Sequence, residues 1–202
     1  REANEDTNYI VCNGDKIQIE WDKTINLYHK DSKTLPTNCY ANYHQARTPT
    51  MIVTHWDAAL SADSCFRILK KRGISSHFVI DNDGTIYQLV DTQHIGWHAG
   101  NRAVNACSIG IDFSNAYYTK YQDWYVRRGF GERPIIEGAP MHGRTLEPFL
   151  GYYPVQIEAY KALLKGLSEH YGIKLECPLD EDGELLTTVD DTAAAGDFEG
   201  CL

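Results

Sequence analysis

The run "MIVTHWD", Met51 to Asp57, constrains the fold of this chain more than any other stretch. Met51, Ile52 and Val53 have the composition of a buried core strand. That strand nevertheless ends on an imidazole, an indole and a carboxylate at consecutive positions. Groups of that kind are placed at the end of a core strand where the chain emerges and a side chain can point into a cleft, which makes His55 the first candidate site residue.

The surrounding pattern supplies partners for such a strand. "YIVCNGDKIQIEW" places Asn13-Gly14 between two apolar-alternating runs, the form of a tight hairpin, with Ile17, Ile19 and Trp21 on one face. Residues 22–50 are irregular and polar and read as a long surface connection. "SADSCFRILKKRG" carries a Ser61 start signal, apolar residues at helical spacing, basic residues in its last turn and Gly73 as a stop, so it predicts an amphipathic helix. "SHFVIDNDGTIYQLVD" predicts a second hairpin around Asn82-Asp83-Gly84, and "CSIGIDF" another strand. Pro154 opens a second helix through Tyr171, with Ile157, Tyr160, Leu164, Leu167 and Tyr171 as its core stripe and Gly172 as its end. Strands alternating with helices, plus antiparallel hairpins, predict an α/β fold with a mixed central β-sheet flanked by helices.

Residues 1–48 are read as an N-terminal hairpin and connection packed on a core domain of residues 49–202. Within that domain, residues 117–153 lack periodicity and form a long insertion, either functional or poorly ordered. Its aromatics and its arginines Arg127, Arg128, Arg133 and Arg144 suit stacking on sugars and pairing with carboxylates. The alternative is a packed loop that covers a sheet edge.

A formal net charge of -9 argues against a nucleic-acid partner, because phosphate contact needs clustered Lys and Arg. No uncharged apolar stretch is long enough to span a bilayer, so no membrane partner is expected. The start "REANEDTNYI" lacks the basic-then-apolar profile of a signal peptide, so either none exists or it has been removed. Neutral or weakly charged ligands and a monomeric state are the expectation.

Among the eight histidines, His29, His44, His94, His142 and His170 sit in polar, turn or helical surroundings and read as solvated. His55, His77 at the head of "HFVID" and His98 in "GWHAG" differ, since each lies beside a strand or an exposing turn. Asp112 puts a carboxylate between Ile111 and Phe113, a costly placement unless it is paired or faces a cleft. Catalytic zinc takes three protein ligands and leaves a position open for water, and a nearby carboxylate can then serve as general base and acid. His55 and Asp112 have the chemical types for those roles. A thiol nucleophile, Cys65 or Cys107 with His77 or His98, is a weaker possibility, because both thiols fall in apolar runs.

Taken in order, "IVTHWD", "SSHFVIDNDGTIYQLVD", "GWHAGN" and "CSIGIDFSN" resemble the N-acetylmuramoyl-L-alanine amidase type 2 family, which includes phage amidases, bacterial recycling amidases and peptidoglycan recognition proteins. The resemblance is close over residues 50–115 and looser over the helix opened by Pro154. It implies an enzyme that uses zinc-bound water to hydrolyse the amide between N-acetylmuramic acid and the L-alanine of a peptidoglycan stem peptide. The partner would be peptidoglycan or its muropeptides, met at the cell wall by a secreted protein or a phage endolysin.

By that resemblance His55 is the first zinc ligand and Asp112 the catalytic acid/base, on a shorter side chain than the glutamate of recycling amidases. His77, Trp97 and His98 are substrate-contacting residues, and Ser76 stands where some members carry a catalytic tyrosine. The family draws its second and third zinc ligands from beyond the last long helix, as a histidine followed by an Asp or Cys. No histidine follows His170 here, and Asp190, Asp191, Asp197 and Cys201 match by donor type only. Two explanations are open: a longer amidase whose zinc ligands follow Leu202, or a module that binds peptidoglycan without cutting it.

Overall fold

The computed structural model describes residues 5–202. The Asn13-Gly14 turn joins strands β1 (Tyr9–Cys12) and β2 (Asp15–Gln18), both residues taking positive φ. Beyond it come β3 (Thr24–Ile25), β4 (Tyr40–Ala41), β5 (Met51–Trp56), helix α1 (Ala62–Arg72), β6 (Phe78–Ile80), β7 (Ile86–Gln88), β8 (Ile95–Gly96), α2 (Arg102–Cys107) and β9 (Ser108–Phe113). The second half holds α3 (Gln122–Arg127), β10 (Ile135–Ile136), β11 (Pro140–Met141), β12 (Arg144–Thr145), β13 (Phe149–Leu150), α4 (Pro154–Tyr171), α5 (Asp191–Ala194) and β14 (Gly200–Cys201). Among the described residues no helix is long and apolar enough to cross a membrane.

Six strands form the central sheet in the order β14-β5-β9-β6-β7-β3. The pairs β14–β5, β5–β9, β9–β6 and β7–β3 are parallel, and only β6–β7 is antiparallel. Side chains along a strand alternate between faces, and the two faces have different partners. Ile52, Ile109, Ile111, Phe113, Phe78 and Ile80 pack toward α4 with Ala159, Leu163 and Leu167. On the other face Val79 meets Cys65 and Leu69 of α1, while Met51 and Val53 meet Val104 of α2. His55 continues the Met51–Val53 series, and the parallel register sets it beside Asp112. The site is therefore a product of strand parity.

Both predicted long helices form with the caps read from sequence. The Ser61 side chain accepts from Ser64 N, and Gly73 and Gly172 end α1 and α4 in the left-handed conformation. The core stripe of α4 is displaced from the predicted one. Gln156, Ala159, Leu163, Gly166 and Leu167 are buried, while Ile157, Tyr160, Leu164 and Tyr171 flank them half-buried. The hairpin segment packs on the C-terminal half of α4, where Ile19 lies so close to Gly166 that an added Cβ would be 2.5 Å from its Cγ2.

Residues 22–50 are more than a surface connection. They supply β3 to the central sheet and bury Thr24, Asn26, Leu35, Cys39 and Arg47. Arg47 donates to the carbonyls of Asn105 and Ala106 at the end of α2, and to those of Thr92 and Ser108. Such a cation suits the carbonyl end of a helix. His29, expected to be solvated, is buried, and its Nδ1 accepts from Asp31 N.

Residues 117–153 contain a short helix and two small ladders, β10–β13 and β11–β12, in place of an unstructured loop. Their anchor is Arg133, which is buried. Its guanidinium donates to Gly151 O, Ser114 O, Gln156 Oε1 and Asn82 Oδ1, and lies 4.3 Å from the ring centres of both Tyr125 and Tyr153. The sequence places this cation in an irregular polar run. The fold uses it to pin that run to the ends of β6 and β9.

Candidate active-site cleft

Five residues were singled out from sequence, and four line one cleft of about 200 Å³: His55, Trp97, His98 and Asp112, joined by Trp56 and Cys65. The fifth, His77, is corrected by the structure. It is fully buried. Its Nδ1 accepts from Gly110 N at 3.0 Å, so the proton is on Nε2, which donates to His94 O at 2.8 Å. With both nitrogens used inside the protein, His77 is a strut between β9 and the loop that carries His94, and it has no face for a substrate.

His98 lies at the centre of a short polar chain. Its Nδ1 is 3.1 Å from His55 Nε2, and its Nε2 is 3.1 Å from Ser108 Oγ. Burial is the main cause that lowers both imidazoles, His98 to about 3, so the pair is neutral around pH 7. The "GWHAG" turn is held from below: Asn105 Oδ1 accepts from the backbone of His98 and Ala99, and Ser75 Oγ accepts from Trp97 N. Trp97 itself is 39% exposed.

The glycine of "SIGI" has a steric reason. A Cβ on Gly110 would sit 2.7 Å from His98 Cγ and 2.9 Å from Ser76 Oγ. The imidazole therefore lies directly on the β9 backbone. Gly110→Ala is expected to push His98 off this seat at a cost of about 1–3 kcal/mol, the usual range for overpacking. A urea melt, together with loss of the His55–His98 coupling in imidazole NMR spectra, would check it.

Asp112 faces the cleft from β9 and is 7% exposed. Ser76 Oγ donates to Oδ1 at 3.2 Å and the Cys65 thiol to Oδ2 at 3.6 Å. Burial pushes the carboxyl up to about 6, and those two hydrogen bonds pull the other way. Asp57 is likewise raised to about 7 by burial, although Ala59 N and Asn115 N donate to it. Cys65 is no nucleophile: burial and the Asp112 and Asp57 charges push its thiol far up, and it acts as a donor. Cys107 closes α2, where its thiol donates to Val104 O and Gly196 O.

Ser108 and Asn105 escape the sequence reading, and Ser76, noted there only for the missing tyrosine, proves to be a donor to Asp112. Parity could have found Ser108, which stands four residues before Asp112 on the same strand face. Ser76 acts through Asp112, 36 residues away, whereas Asn105 acts on the nearby backbone of His98 and Ala99 from a helix too short to show a period.

The donor set does not by itself fit a catalytic zinc. His55 and His98 bring two nitrogens together, but among the described residues no three His, Cys, Asp or Glu side chains are grouped to hold a metal ion. Asp190 caps α5 by accepting from Ala193 N, and Cys201 donates to Lys174 O. A larger pocket of about 530 Å³, lined by Val53, Val104, Leu185 and Leu186 among others, also has His55 on its wall.

The mixed α/β sheet delivers an imidazole and a buried carboxylate, side by side, to one cleft. Residues 45–177 match the family model described as N-acetylmuramoyl-L-alanine amidase, and the chain belongs to that family. Among solved structures it is similar to the amidase AmiD from E. coli, in complex with anhydro-N-acetylmuramic acid-L-Ala-D-gamma-Glu-L-Lys, at 25% identity over 66% of this chain and 48% of that one, with a TM-score of 0.45. AmpDh3 from Pseudomonas aeruginosa, in complex with anhydromuramic pentapeptide, is 22% identical over 69% and 52%, with a TM-score of 0.43. The endolysin amidase LysCS from Clostridium intestinale is 25% identical over 70% and 80%, with a TM-score of 0.40. The chain spans about half the length of AmiD and AmpDh3. No curated protein matches it.

Proposed function

We propose that this chain hydrolyses the amide between N-acetylmuramic acid and the L-alanine of peptidoglycan stem peptides, acting at the cell wall. The reading rests on family membership and on one observation, the in-register pair His55 and Asp112 at the mouth of a cleft. A linear substrate lying over His55 has a pocket on each side of it. Asp112, as carboxylate, takes a proton from the water that attacks the amide carbonyl carbon. When the C–N bond breaks, the same carboxyl returns that proton to the alanine nitrogen, leaving a free amine and a muramoyl carboxylic acid.

Zinc is the cofactor that the family resemblance implies, and His55 is the ligand this chain offers for it. His98 Nδ1 lies 3.1 Å from His55 Nε2, but among the described residues no third donor joins the two. That observation also supports a second reading, a module that holds muropeptides without cutting them. Digestion of purified peptidoglycan with and without added zinc, read by mass spectrometry, separates the two: stem peptides beginning with free L-alanine support hydrolysis, and intact muropeptides that still bind support the module.

The pH profile follows from Asp112. A general base must be ionised, and this carboxyl is raised to about 6 from an ordinary 3.8. Hydrolysis is expected to be full above pH 7 and to fall about tenfold per pH unit once the pH drops below 6. A profile still flat at pH 4.5 would remove Asp112 from the base role.

A further inference from the structure

Strand β14 turns alternate amides to its two sides. Gly200 N and Leu202 N donate to Thr50 O and Ile52 O beside β5, whereas Cys201 N faces the other way and donates to Glu176 O at 2.8 Å. The segment that follows α4 therefore runs along the outer edge of β14. Its direction is parallel: Lys174 pairs with Glu199 at 3.5 Å, Glu176 accepts from Cys201, and Cys177 and Pro178 line the larger pocket with Cys201 and Leu202. Hydrogen bonds between parallel strands are slanted, so a residue that donates to one carbonyl lies opposite the residue after it. Cys201 is thus opposite Cys177. The return bond would come from residue 178, a proline without an N–H, and the pairing stops there.

Opposite residues of neighbouring strands lie about 5 Å apart and turn their side chains to the same face, and a disulfide spans Cα separations of about 4.4–6.8 Å. Both thiols are free, Cys177 exposed and Cys201 buried. Tyr160 marks the face they share. Its hydroxyl bonds to Thr54 Oγ1 at 2.7 Å, and it is raised by burial and then by the charges that Cys201 and Cys177 carry when ionised. The other four cysteines belong to β1, the turn before β4, α1 and α2.

We propose that Cys177 and Cys201 are a cross-linking site, closed to a disulfide by a small disulfide oxidant such as oxidised glutathione, which staples residues 178–200 as the outer wall of the larger pocket. The pair is independent of the hydrolase reading. The exposed Cys177 thiolate attacks the small disulfide, forming a mixed disulfide and releasing one thiol. Cys201 gives its proton to solvent, attacks Cys177 Sγ and displaces the second thiol, so the protein loses two hydrogens and the oxidant is reduced to two thiols. The closed loop carries Leu185, Leu186, Asp190 and Ala193 of the pocket whose opposite wall holds His55. Without the staple this loop is tied through single bonds, among them Asn101 Nδ2 to Ala194 O and His142 N to Thr187 O. The width of that pocket thereby follows the thiol–disulfide state.

The test equilibrates the folded native protein with reduced or with oxidised glutathione, quenches it in acid, alkylates it and digests it without reductant. Mass spectrometry of the oxidised sample should show the Cys177 peptide joined to the Cys201 peptide and two hydrogens lighter than the pair. Its melting temperature should exceed that of the reduced sample by about 5–10 °C, the effect of closing a loop of this length. Cys177→Ser changes an exposed residue, so it should fold and melt like the reduced native protein in both buffers. Glutathione left on Cys177 beside a free Cys201, either thiol joined to another cysteine, or an equal rise in melting temperature in Cys177→Ser overturns the inference, whether or not muropeptides are hydrolysed.

Discussion

Asp112→Asn is expected to lower amide hydrolysis by about 10²- to 10⁴-fold, the range for loss of a positioned acid/base, while making the protein more stable at pH 8. The two effects have one cause. Burial holds this carboxyl at about 6 in the folded chain against an ordinary 3.8, so folding favours its protonated form. The stability it contributes is fully present below the unfolded pKa and is lost as pH rises through the folded value. Above pH 7 the native protein carries a buried carboxylate whose cost is at most about 3 kcal/mol. Asparagine keeps an acceptor for Ser76 Oγ and discards the charge, and it also relieves Asp57, which the Asp112 charge raises further. Thermal melts of both forms at pH 8 and pH 4 check this: the variant should melt higher at pH 8, and the gap should close at pH 4. A variant that melts lower at pH 8 would mean that the carboxylate is structurally required.

The second large effect is on stability alone. Arg133→Met is expected to cost about 3 kcal/mol or more, because buried Asn82 Oδ1 loses its donor while Ser114 O, Gly151 O and Gln156 Oε1 each lose one of two donors, the others being Gln156 Nε2, Asn115 Nδ2 and Tyr153 N. A buried cation is expensive to desolvate, and its removal can be neutral when its partners leave with it. Here they stay, since three of the four belong to the ends of β6 and β9 or to the start of α4. The two tyrosine rings also lose the group between them. Urea unfolding measures the loss, and limited proteolysis should show cleavage within residues 127–148 before the sheet unfolds. A loss under about 1 kcal/mol would mean that water can replace the guanidinium.

Features with short-range causes were legible in the sequence. Ser61 and Gly73, Pro154 and Gly172 mark helix ends because capping is decided within a turn, and "MIVTHW" is a core strand by composition alone. Four positions named by the resemblance, His55, Trp97, His98 and Asp112, line one cleft, the first and last on strands β5 and β9 and the other two in the turn after β8. His77 was misread because its burial depends on Gly110 N and His94 O, one of them 33 residues away. Arg133 was unreadable for the same reason, as a cation in an irregular run is indistinguishable from a solvated one until Tyr125 and Tyr153 close on it. Helix α2 has only 6 residues, too few to show a period, and its Asn101 cap is its one local mark.

The cleft at His55 and Asp112 is proposed to add water across the muramoyl–L-alanine amide. Digestion of a defined muramoyl tripeptide in ¹⁸O-labelled water, with zinc supplied, tests it most directly. One ¹⁸O atom is expected in the carboxyl of the released muramic acid, none in the peptide that begins with L-alanine, and at least about a hundredfold less product from Asp112→Asn. Intact substrate at stoichiometric native protein, or equal product from the variant, would contradict it.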